Sequence, residues 1–257
     1  MNLLLDVGNT RVKWAFHSGA LAENFIASGD VVHVGRVAAA FTELTAAIRT
    51  SLASEGTISK VFMVNVTGSE LSRLFTDFFI REFHLEVSVV VSESECMGLT
   101  NGYADISQLG ADRWVGMLGA TNESLVSICV VDAGTAVTID LVVGGTSHVG
   151  GLILPGLALM RDSLFLATGD IEAFSIRASG DQADHSVGRS TDSAVHLGAV
   201  EAIVGAVERT LNRQKEPVRL IVTGGDAQLL LPHLAGYSPE HRPRLVLEGL
   251  AKLAAIA

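Results

Sequence analysis

Two stretches of the chain share one pattern: an apolar run, a polar tip that contains Asp, Gly and Thr, and a second apolar run. The first covers residues 3–16, with residues 6–10 at its tip, and the second covers residues 129–141, with residues 132–135 at its tip. Apolar runs separated by a glycine-containing polar turn are typical of β-hairpins. The pattern therefore predicts two hairpins about half a chain apart, which suggests a duplicated domain.

The segments around the hairpins predict alternating strands and helices on a mixed sheet. In the first half, strands are predicted over residues 25–32, 60–66 and 85–91, and helices over residues 34–53 and 69–83. A turn-rich connector over residues 92–112 leads to a helix over residues 113–122. In the second half, sheet segments are predicted over residues 127–132, 146–149, 151–154 and 219–223, and helices over residues 156–168, 194–213, 227–234 and 250–257. The fold class is therefore α/β.

Composition limits the possible functions. The chain has 257 residues, 48% of them hydrophobic, which allows a large core in one domain or in two of about 125 residues. The net charge of −10 argues against a nucleic acid as the main partner. No apolar run reaches the ~18 residues of a membrane helix, and no basic leader typical of a secretory signal is present. Cys96 and Cys129 lack metal-binding spacing, so we expect free thiols in a reducing cytoplasm.

The polar tips of the hairpins suggest nucleotide binding. Glycine allows close approach of a ligand, turn amides face phosphates, and an aspartate can hold a metal ion that bridges phosphates. A third glycine turn over residues 223–226 opens a predicted helix, where amides can also face a nucleotide. Taken alone, each hairpin tip is better explained as a structural turn, since Asp and Gly are common turn residues. The third turn alone is equally explained as a plain strand-to-helix loop. Together they predict a nucleotide held between two halves.

Four elements in fixed order carry a resemblance to a known family. They are Asp6-Val7-Gly8-Asn9-Thr10-Arg11-Val12-Lys13-Trp14, Leu109-Gly110-Ala111-Asp112-Arg113-Trp114, Asp132-Ala133-Gly134-Thr135-Ala136-Val137-Thr138 and Gly150-Gly151-Leu152-Ile153-Leu154-Pro155-Gly156. Over essentially the whole chain, the sequence resembles type III pantothenate kinase, in the acetate kinase, sugar kinase, Hsp70 and actin superfamily. The resemblance implies two tandem ribonuclease H-like (actin-like ATPase) domains, residues 1–115 and 116–257. Each would have a mixed five-stranded sheet flanked by helices, with a cleft between the domains.

The resemblance also implies roles for individual residues. The ATP-binding residues would be Asp6, Val7, Gly8, Asn9, Thr10, Arg11, Val12, Lys13 and Thr135. Asp6 would hold Mg²⁺, and Asp132 a monovalent cation, K⁺ or NH4⁺. The pantothenate-binding residues would be Tyr103, Gly110, Ala111, Asp112, Arg113 and Thr191, with Asp112 as the proton acceptor. Members of the family often have a proline a few residues after this tyrosine. This chain departs from that pattern, because Ala104-Asp105-Ile106 contains no proline.

The implied function is ATP-dependent phosphorylation of pantothenate to 4'-phosphopantothenate, the first step towards coenzyme A. The resemblance further implies a cytoplasmic homodimer. Two alternatives stay open. One is a nucleotide-binding regulatory protein with the same fold, since some family members are labelled Bvg accessory factor. The other is a kinase for another small hydroxyl substrate, such as a sugar, although such chains are usually longer.

Several of these residues also have purely structural interpretations. Asp112 precedes an apolar run and is a suitable helix N-cap, and Arg113 would then form a surface ion pair. Trp14 and Trp114 are expected to pack in the core or in an interface. His148 and His196 are expected to be structural histidines, with approach to the cleft as the alternative. The apolar segment 157–165 is expected to pack in the core or in a subunit interface.

Overall fold

A computed structural model describes residues 1–19, 24–121, 125–167 and 187–257. The chain forms two compact units, and neither is a continuous stretch of sequence. The first comprises Met1–Leu125, Val142–Gly150 and Arg244–Ala257, and the second comprises Val126–Leu141 and Gly151–Pro243. Compact units defined by packing do not identify the residue at which the second copy of a duplicated domain begins. The division into domains 1–115 and 116–257 therefore stays a prediction.

Strands and helices alternate along the chain. In order, they are β1 (Asn2–Val7), β2 (Arg11–His17), β3 (Phe25–Val32), α1 (Val37–Glu55), β4 (Lys60–Asn65), α2 (Ser69–Phe83), β5 (Val87–Val90), β6 (Glu95–Cys96), β7 (Leu99–Thr100), α3 (Ala111–Ala120), β8 (Ser127–Ala133), β9 (Ala136–Val143), β10 (Ser147–Pro155), α4 (Leu157–Ala167), α5 (Thr191–Asn212), β11 (Val218–Thr223), α6 (Ala227–Leu230), β12 (Glu240–His241) and α7 (Leu245–Ile256). Short 3-10 helices lie at Ile106–Gln108 and Ala235–Tyr237.

The sheet of the first unit has the strand order β3-β2-β1-β4-β5. β1 is antiparallel to β2 and parallel to β4, so the sheet is mixed, as predicted. Alternate residues of β1, Leu3 and Leu5, are fully buried and pack in one core with Phe75 and Phe79 of α2. Leu4, between them, points to the other face and is also fully buried, so this central strand is covered on both faces. In its register, Asp6 lies opposite Lys13 of β2 and Val64 of β4.

The second unit repeats the strand order of the first. Within the described residues, the second sheet has seven strands, two more than the resemblance implied, in the order β12-β11-β8-β9-β10-β7-β6. In it, β8, β9, β10, β11 and β12 take the places that β1 to β5 hold in the first sheet. β11 is parallel to β8, with Thr223 opposite Asp132. Helix α5 contributes Ile203 and Val207 to the core beneath this sheet. In the first unit, the short β6–β7 hairpin pairs with the start of β10 through Thr100 and Ser147.

This architecture confirms the predicted fold class. The mixed sheets flanked by helices and the repeated strand order are those of tandem ribonuclease H-like domains. Both tryptophans, Trp14 and Trp114, lie in the core as expected, at 6% and 0% exposure. No helix in the described ranges is both long and apolar enough to cross a membrane.

Several predicted boundaries are wrong. The helix predicted from residue 113 begins at Ala111, the helix predicted from residue 250 begins at Leu245, and the helical residues predicted over 227–234 end at Leu230. The segments 146–149 and 151–154 form the single strand β10, and the connector 92–112 contains β6, β7 and a 3-10 helix. The two-residue strand β12 was not predicted. The predicted helix ends at Asn122 and Thr168 lie outside the described residues.

Helices α3 and α7 pack closely within the first unit. A Cβ on Gly119 would overlap the carbonyl oxygen of Leu245, and a Cβ on Gly249 would overlap that of Val115. Glycine at these two positions therefore lets the two backbones approach each other. The close packing matters for the site because Asp112 lies in the first turn of α3.

Candidate active site

The turn between β1 and β2 is a tight hairpin tip. The Gly8 N–H donates to the Arg11 carbonyl at 3.1 Å, and Asp6 lies opposite Lys13 in the strand register. Asp6 is only 8% exposed, whereas Asn9 is exposed to solvent. A largely buried carboxylate next to an exposed glycine turn is a suitable arrangement for a metal ion that bridges phosphates.

Two of the predicted ATP-binding side chains in this segment are inaccessible. Val7 and Val12 are 0% and 1% exposed, so a nucleotide could contact only their main-chain atoms. Arg11 Nη1 lies 2.6 Å from Asp30 Oδ2 in an exposed ion pair. Exposed pairs of this kind contribute only ~0–1 kcal/mol, so the Arg11 side chain is able to exchange Asp30 for a phosphate.

His33 contacts the same turn and was not predicted as a site residue. It directly follows β3 and is 4% exposed. Its Nε2 lies 2.6 Å from the Gly8 carbonyl oxygen, 25 residues earlier in the chain. Its main-chain N–H donates to the Thr10 carbonyl at 3.0 Å. A lone histidine after a strand carries no sequence signal that would connect it to a distant turn.

Asp112 lies inside helix α3 and not at its N-cap. The helix begins at Ala111, and Gly110 is the N-cap residue. The Arg113 N–H donates to Asp112 Oδ1 at 2.8 Å. A Cβ on Gly110 would lie 2.7 Å from this same oxygen. The N-cap interpretation of Asp112 is therefore wrong, and the carboxylate is instead placed over a glycine at the positive end of a helix dipole.

Arg113 is buried and contacts a second predicted substrate residue. It is 8% exposed, so the interpretation as a surface ion pair is wrong. Its Nη1 donates to the Tyr103 hydroxyl at 2.9 Å, and its guanidinium lies 5.6 Å from the centre of the Tyr103 ring. On the same ring, His148 stacks at a centroid distance of 5.6 Å. Tyr103, Arg113 and His148 thus form one cluster, although only the first two were predicted as site residues.

The second unit brings two of its glycine turns together around Ala133. The Asp226 N–H donates to the Ala133 carbonyl at 2.9 Å. Gly224 has a φ of +96°, and a Cβ there would overlap Ala133. Thr223 lies opposite Asp132 in the register of β11 and β8. The turn that carries Asp132 therefore packs directly against the third glycine turn, as expected for parts of one nucleotide site.

The other predicted residues of the second unit lie at element ends. Thr135 is exposed, and its carbonyl accepts from the Gly156 N–H at 2.9 Å, just before α4. Thr191 is the first residue of α5 and follows the N-cap Ser190, which forms a capping box with Ser193. The side chain of Thr191 is exposed, so it is accessible to a ligand.

The carboxylates of the site fit a magnesium ion held partly by substrate phosphates better than a metal ion held entirely by protein side chains. Within the described ranges, no group of three or more His, Cys, Asp or Glu side chains is arranged to hold a metal ion. Mg²⁺ is commonly bound by one or two carboxylates together with substrate phosphates. Asp6, beside an exposed glycine turn, matches this donor set. Asp132, which is partly exposed, is likewise an oxygen donor of the kind that a monovalent cation takes.

Comparisons with known proteins point to one family. A family model described as Type III pantothenate kinase matches residues 2–213. The chain is 31% identical to a type III pantothenate kinase from Nitrosococcus oceani, with 99% of this chain and 94% of that protein covered. It is 35% identical to a type III pantothenate kinase from Thiobacillus denitrificans, with 98% and 96% covered.

Solved structures support the fold. A Baf family transcriptional activator from Campylobacter jejuni has a TM-score of 0.58 at 21% identity, with 98% of this chain and 96% of that chain covered. A ROK family glucokinase from Streptomyces griseus, solved with glucose and AMPPNP, has a TM-score of 0.57 at 11% identity, with 100% and 99% covered. At such identities, the likeness shows the fold alone.

Proposed function

The chain belongs to the type III pantothenate kinase family and phosphorylates pantothenate with ATP, and we propose that Asp112 is its proton acceptor. The observation that carries this proposal is the position of Asp112 in the first turn of α3. There its Oδ1 is held by the Arg113 N–H at 2.8 Å. The neighbouring Arg113 and Tyr103 side chains are joined by a hydrogen bond of 2.9 Å and provide contacts for the acceptor substrate.

Positioning is the main task of Asp112. Phosphoryl transfer requires little covalent work from a protein, and most of the rate comes from alignment and charge neutralisation. Carboxylates are weak bases towards an alcohol, so proton transfer is expected late in the reaction. Asp112 accepts a hydrogen bond from the primary hydroxyl of pantothenate and directs that oxygen towards the γ-phosphate. The proton passes to the carboxylate as the pantothenate oxygen bonds to the γ-phosphorus of ATP and the bond from that phosphorus to the β,γ-bridging oxygen breaks, which releases ADP.

The phosphates of ATP are assigned to the two glycine turns. In the first unit, residues 6–13 provide turn amides, the Lys13 ammonium and Asp6, the residue that would hold Mg²⁺. When bound, Mg²⁺ neutralises charge on the phosphate oxygens. In the second unit, Thr135 would contact ATP through its exposed side chain, and Asp132 would hold K⁺ or NH4⁺. Fixed local charges of this kind are needed because the protein itself carries a net charge of −10.

Pantothenate is assigned to the residues around α3. The planar guanidinium of Arg113 is suited to the carboxylate of pantothenate, which it can bind with two parallel hydrogen bonds. Tyr103 is held in place by the hydrogen bond from Arg113 and by stacking on His148. Gly110 and Ala111 offer backbone groups at the start of the helix, and Thr191 offers a hydroxyl at the start of α5.

The protein is further proposed to be a cytoplasmic homodimer. Large apolar side chains are exposed along β10 and α4, among them Ile153 at 64% and Leu166 at 83%. Such concentrations of exposed apolar side chains mark protein interfaces. The thiols of Cys96 and Cys129 are both free, which fits a reducing compartment. Burial, assisted by the charge of Asp140, raises the pKa of Cys129 to about 12, so this thiol is unreactive.

The test compares Asp112→Asn with Asp105→Asn. Asp105 is an exposed carboxylate close to Asp112 in sequence, and a hydrogen bond from the Ser107 hydroxyl lowers its pKa. ADP release is measured with ATP, Mg²⁺ and pantothenate, pantetheine or a hexose, in K⁺ or Na⁺ salts. We expect Asp112→Asn to lower kcat by about 10²–10⁴-fold while ATP affinity changes less than about twofold.

Asp105→Asn is expected to retain the activity of the wild type. Near-full activity of Asp112→Asn would remove Asp112 as the proton acceptor. Equal activity in K⁺ and Na⁺ would count against the assignment of Asp132. ATP binding without turnover of any acceptor would favour the regulatory alternative, and preference for a hexose would favour a different kinase.

A further inference from the structure

His33 is a buried polar residue that has no part in the assignments above. It lies just after β3, between the sheet of the first unit and α1, and is 4% exposed. Buried imidazole nitrogens require hydrogen-bond partners, because an unsatisfied polar group in the interior costs free energy. The partner of Nε2 is the Gly8 carbonyl at 2.6 Å. A carbonyl oxygen only accepts, so Nε2 carries the proton in this contact.

His33 holds the turn at two points. Its side chain donates to the carbonyl of Gly8, at 2.6 Å. Its main-chain N–H donates to the carbonyl of Thr10, at 3.0 Å, and the N–H of Val34 also reaches this carbonyl, at 3.4 Å. The two held carbonyls lie on either side of Asn9, at the tip of the turn.

Fixing the Gly8 carbonyl also fixes the N–H of the next residue. The C=O and N–H groups of a trans peptide point in opposite directions. Because the Gly8 carbonyl points at His33, the Asn9 N–H points away from His33. Glycine at position 8 gives this peptide unusual rotational freedom, so the turn has little intrinsic preference for that orientation. The imidazole supplies the preference.

We propose that His33 is a positioning residue for ATP, whose Nε2–H orients the Gly8–Asn9 peptide so that the Asn9 N–H faces a phosphate. The proposal rests on the assignment of residues 6–13 to the ATP phosphates. A binding loop that is already in the bound orientation does not have to be ordered when the ligand binds. His33 therefore acts on ATP affinity and has no direct contact with pantothenate.

The test uses three substitutions at this position. His33→Leu removes the donor and keeps an apolar side chain of similar size. His33→Gln places an amide N–H at about the reach of Nε2, whereas the shorter side chain of His33→Asn does not reach Gly8. We expect His33→Leu and His33→Asn to raise the Kd and KM for ATP about tenfold, the scale of one lost buried hydrogen bond. His33→Gln should stay within about threefold of the wild type, and KM for pantothenate should change less than twofold.

The matched control is a second buried histidine in the same sheet. His17 is 2% exposed and lies at the opposite end of β2 from the turn, across from Asn2. His17→Leu removes a buried imidazole but leaves the turn unchanged, so ATP affinity should not change. ATP binding is measured by calorimetry with a non-hydrolysable ATP analogue and Mg²⁺, and thermal unfolding shows which variants fold. If His33→Leu does not fold, the contrast between His33→Gln and His33→Asn decides.

Equal ATP affinity of the Gln, Asn and Leu variants would overturn the proposal, as would parallel changes in KM for ATP and pantothenate. Lys13→Met separates this failure from failure of the underlying assignment. If Lys13→Met and His33→Leu both leave ATP affinity unchanged, residues 6–13 are not the phosphate site. If Lys13→Met weakens ATP binding and His33→Leu does not, only the role of His33 is wrong.

Discussion

At Gly110, the absence of a side chain leaves room for the Asp112 carboxylate. A Cβ there would lie 2.7 Å from Asp112 Oδ1, too close for the carboxylate to stay where it is. We expect Gly110→Ala to rotate the Asp112 side chain and to lower kcat by about 10–100-fold, since small displacements of a reacting group cost rate steeply. The stability of the fold should change by less than about 1 kcal/mol, because the atom that must move ends a flexible side chain. Steady-state kinetics and urea unfolding measure the two effects.

Gly116→Ala is the matched control in the same helix. A Cβ on Gly116 would lie 3.9 Å from its nearest neighbour, Val246 Cγ2, which is an ordinary contact. This change should leave kcat unaltered and raise the stability by up to about 1 kcal/mol through helix propensity. Similar kcat values for the two alanine variants would show that the position of the Asp112 carboxylate does not depend on Gly110.

Residues of the site were predictable where the sequence keeps them in a motif. The segments 6–13 and 109–114 carry their own turn or helix signals, and the structure places both where strands or helices begin or end. His33 and His148 carry no such signal. His33 contacts Gly8, and His148 contacts Tyr103, because folding brings together residues that are far apart in the sequence. Histidine spacing alone cannot report contacts of that kind.

At the scale of elements, helix α7 holds the C-terminal end of α3. Lys252 Nζ donates to the carbonyls of Leu118 and Gly119 at 2.9 Å each, and to that of Thr121. The last carbonyls of a helix have no intrahelical partner, and a cation there also interacts favourably with the helix dipole. We expect Lys252→Met to lower the free energy of unfolding by about 1–3 kcal/mol, measured by urea denaturation.

Lys60→Met is the control for Lys252→Met. The Lys60 ammonium donates to one carbonyl, that of Ala257, at 3.1 Å in an exposed position. Solvent replaces such a contact readily, so the free energy of unfolding should change by less than about 0.5 kcal/mol. Equal effects of the two substitutions would mean that Lys252 contributes no more than a surface lysine.

Long periodic elements were predicted well, and short or glycine-containing ones were not. α1 and α2 each show a clear apolar spacing and were predicted from it, and the long helix α5 was also predicted. The two-residue strands β6, β7 and β12 are too short to show alternation. The start of α7, at Leu245, was predicted too late, at residue 250. Gly249, a residue type that lowers helix propensity, lies inside this helix. The structure shows why glycine is required there: α3 crosses too closely for a side chain.

At the scale of the whole molecule, the repeated hairpin was enough to predict the repeated sheet. Five strands of the second sheet repeat the strand order of the first, and Asp6 and Asp132 lie near the ends of the equivalent strands β1 and β8. The place of α7 could not be predicted, because it belongs to the first unit although it ends the chain. Only tertiary packing against α3 decides this, and no local pattern records it.

The exposed apolar residues of β10 and α4 lead to a prediction about assembly. Ile153 is 64% exposed and Leu166 is 83% exposed, and burial of such side chains against a second chain is favourable by about 25 cal/mol per Å² of apolar area. Light scattering should therefore give a mass of twice the 27.0 kDa of one chain. Ile153→Asp should shift the mass towards that of a monomer, because a dimer would have to bury the new carboxylate.

Ile256→Asp is the matched control for this shift. Ile256 is equally apolar and 66% exposed, but it lies at the end of α7, away in sequence from both β10 and α4. Its substitution should leave the mass at the dimer value. A wild-type monomer would overturn the proposed dimer, and a dimer that survives Ile153→Asp but dissociates with Ile256→Asp would place the interface elsewhere. Because Thr191 lies in the same unit as Ile153 and α4, kinetics of the dissociated variant also report whether assembly is needed to bind pantothenate. A raised KM for pantothenate with unchanged ATP affinity would show that pantothenate binding requires the dimer.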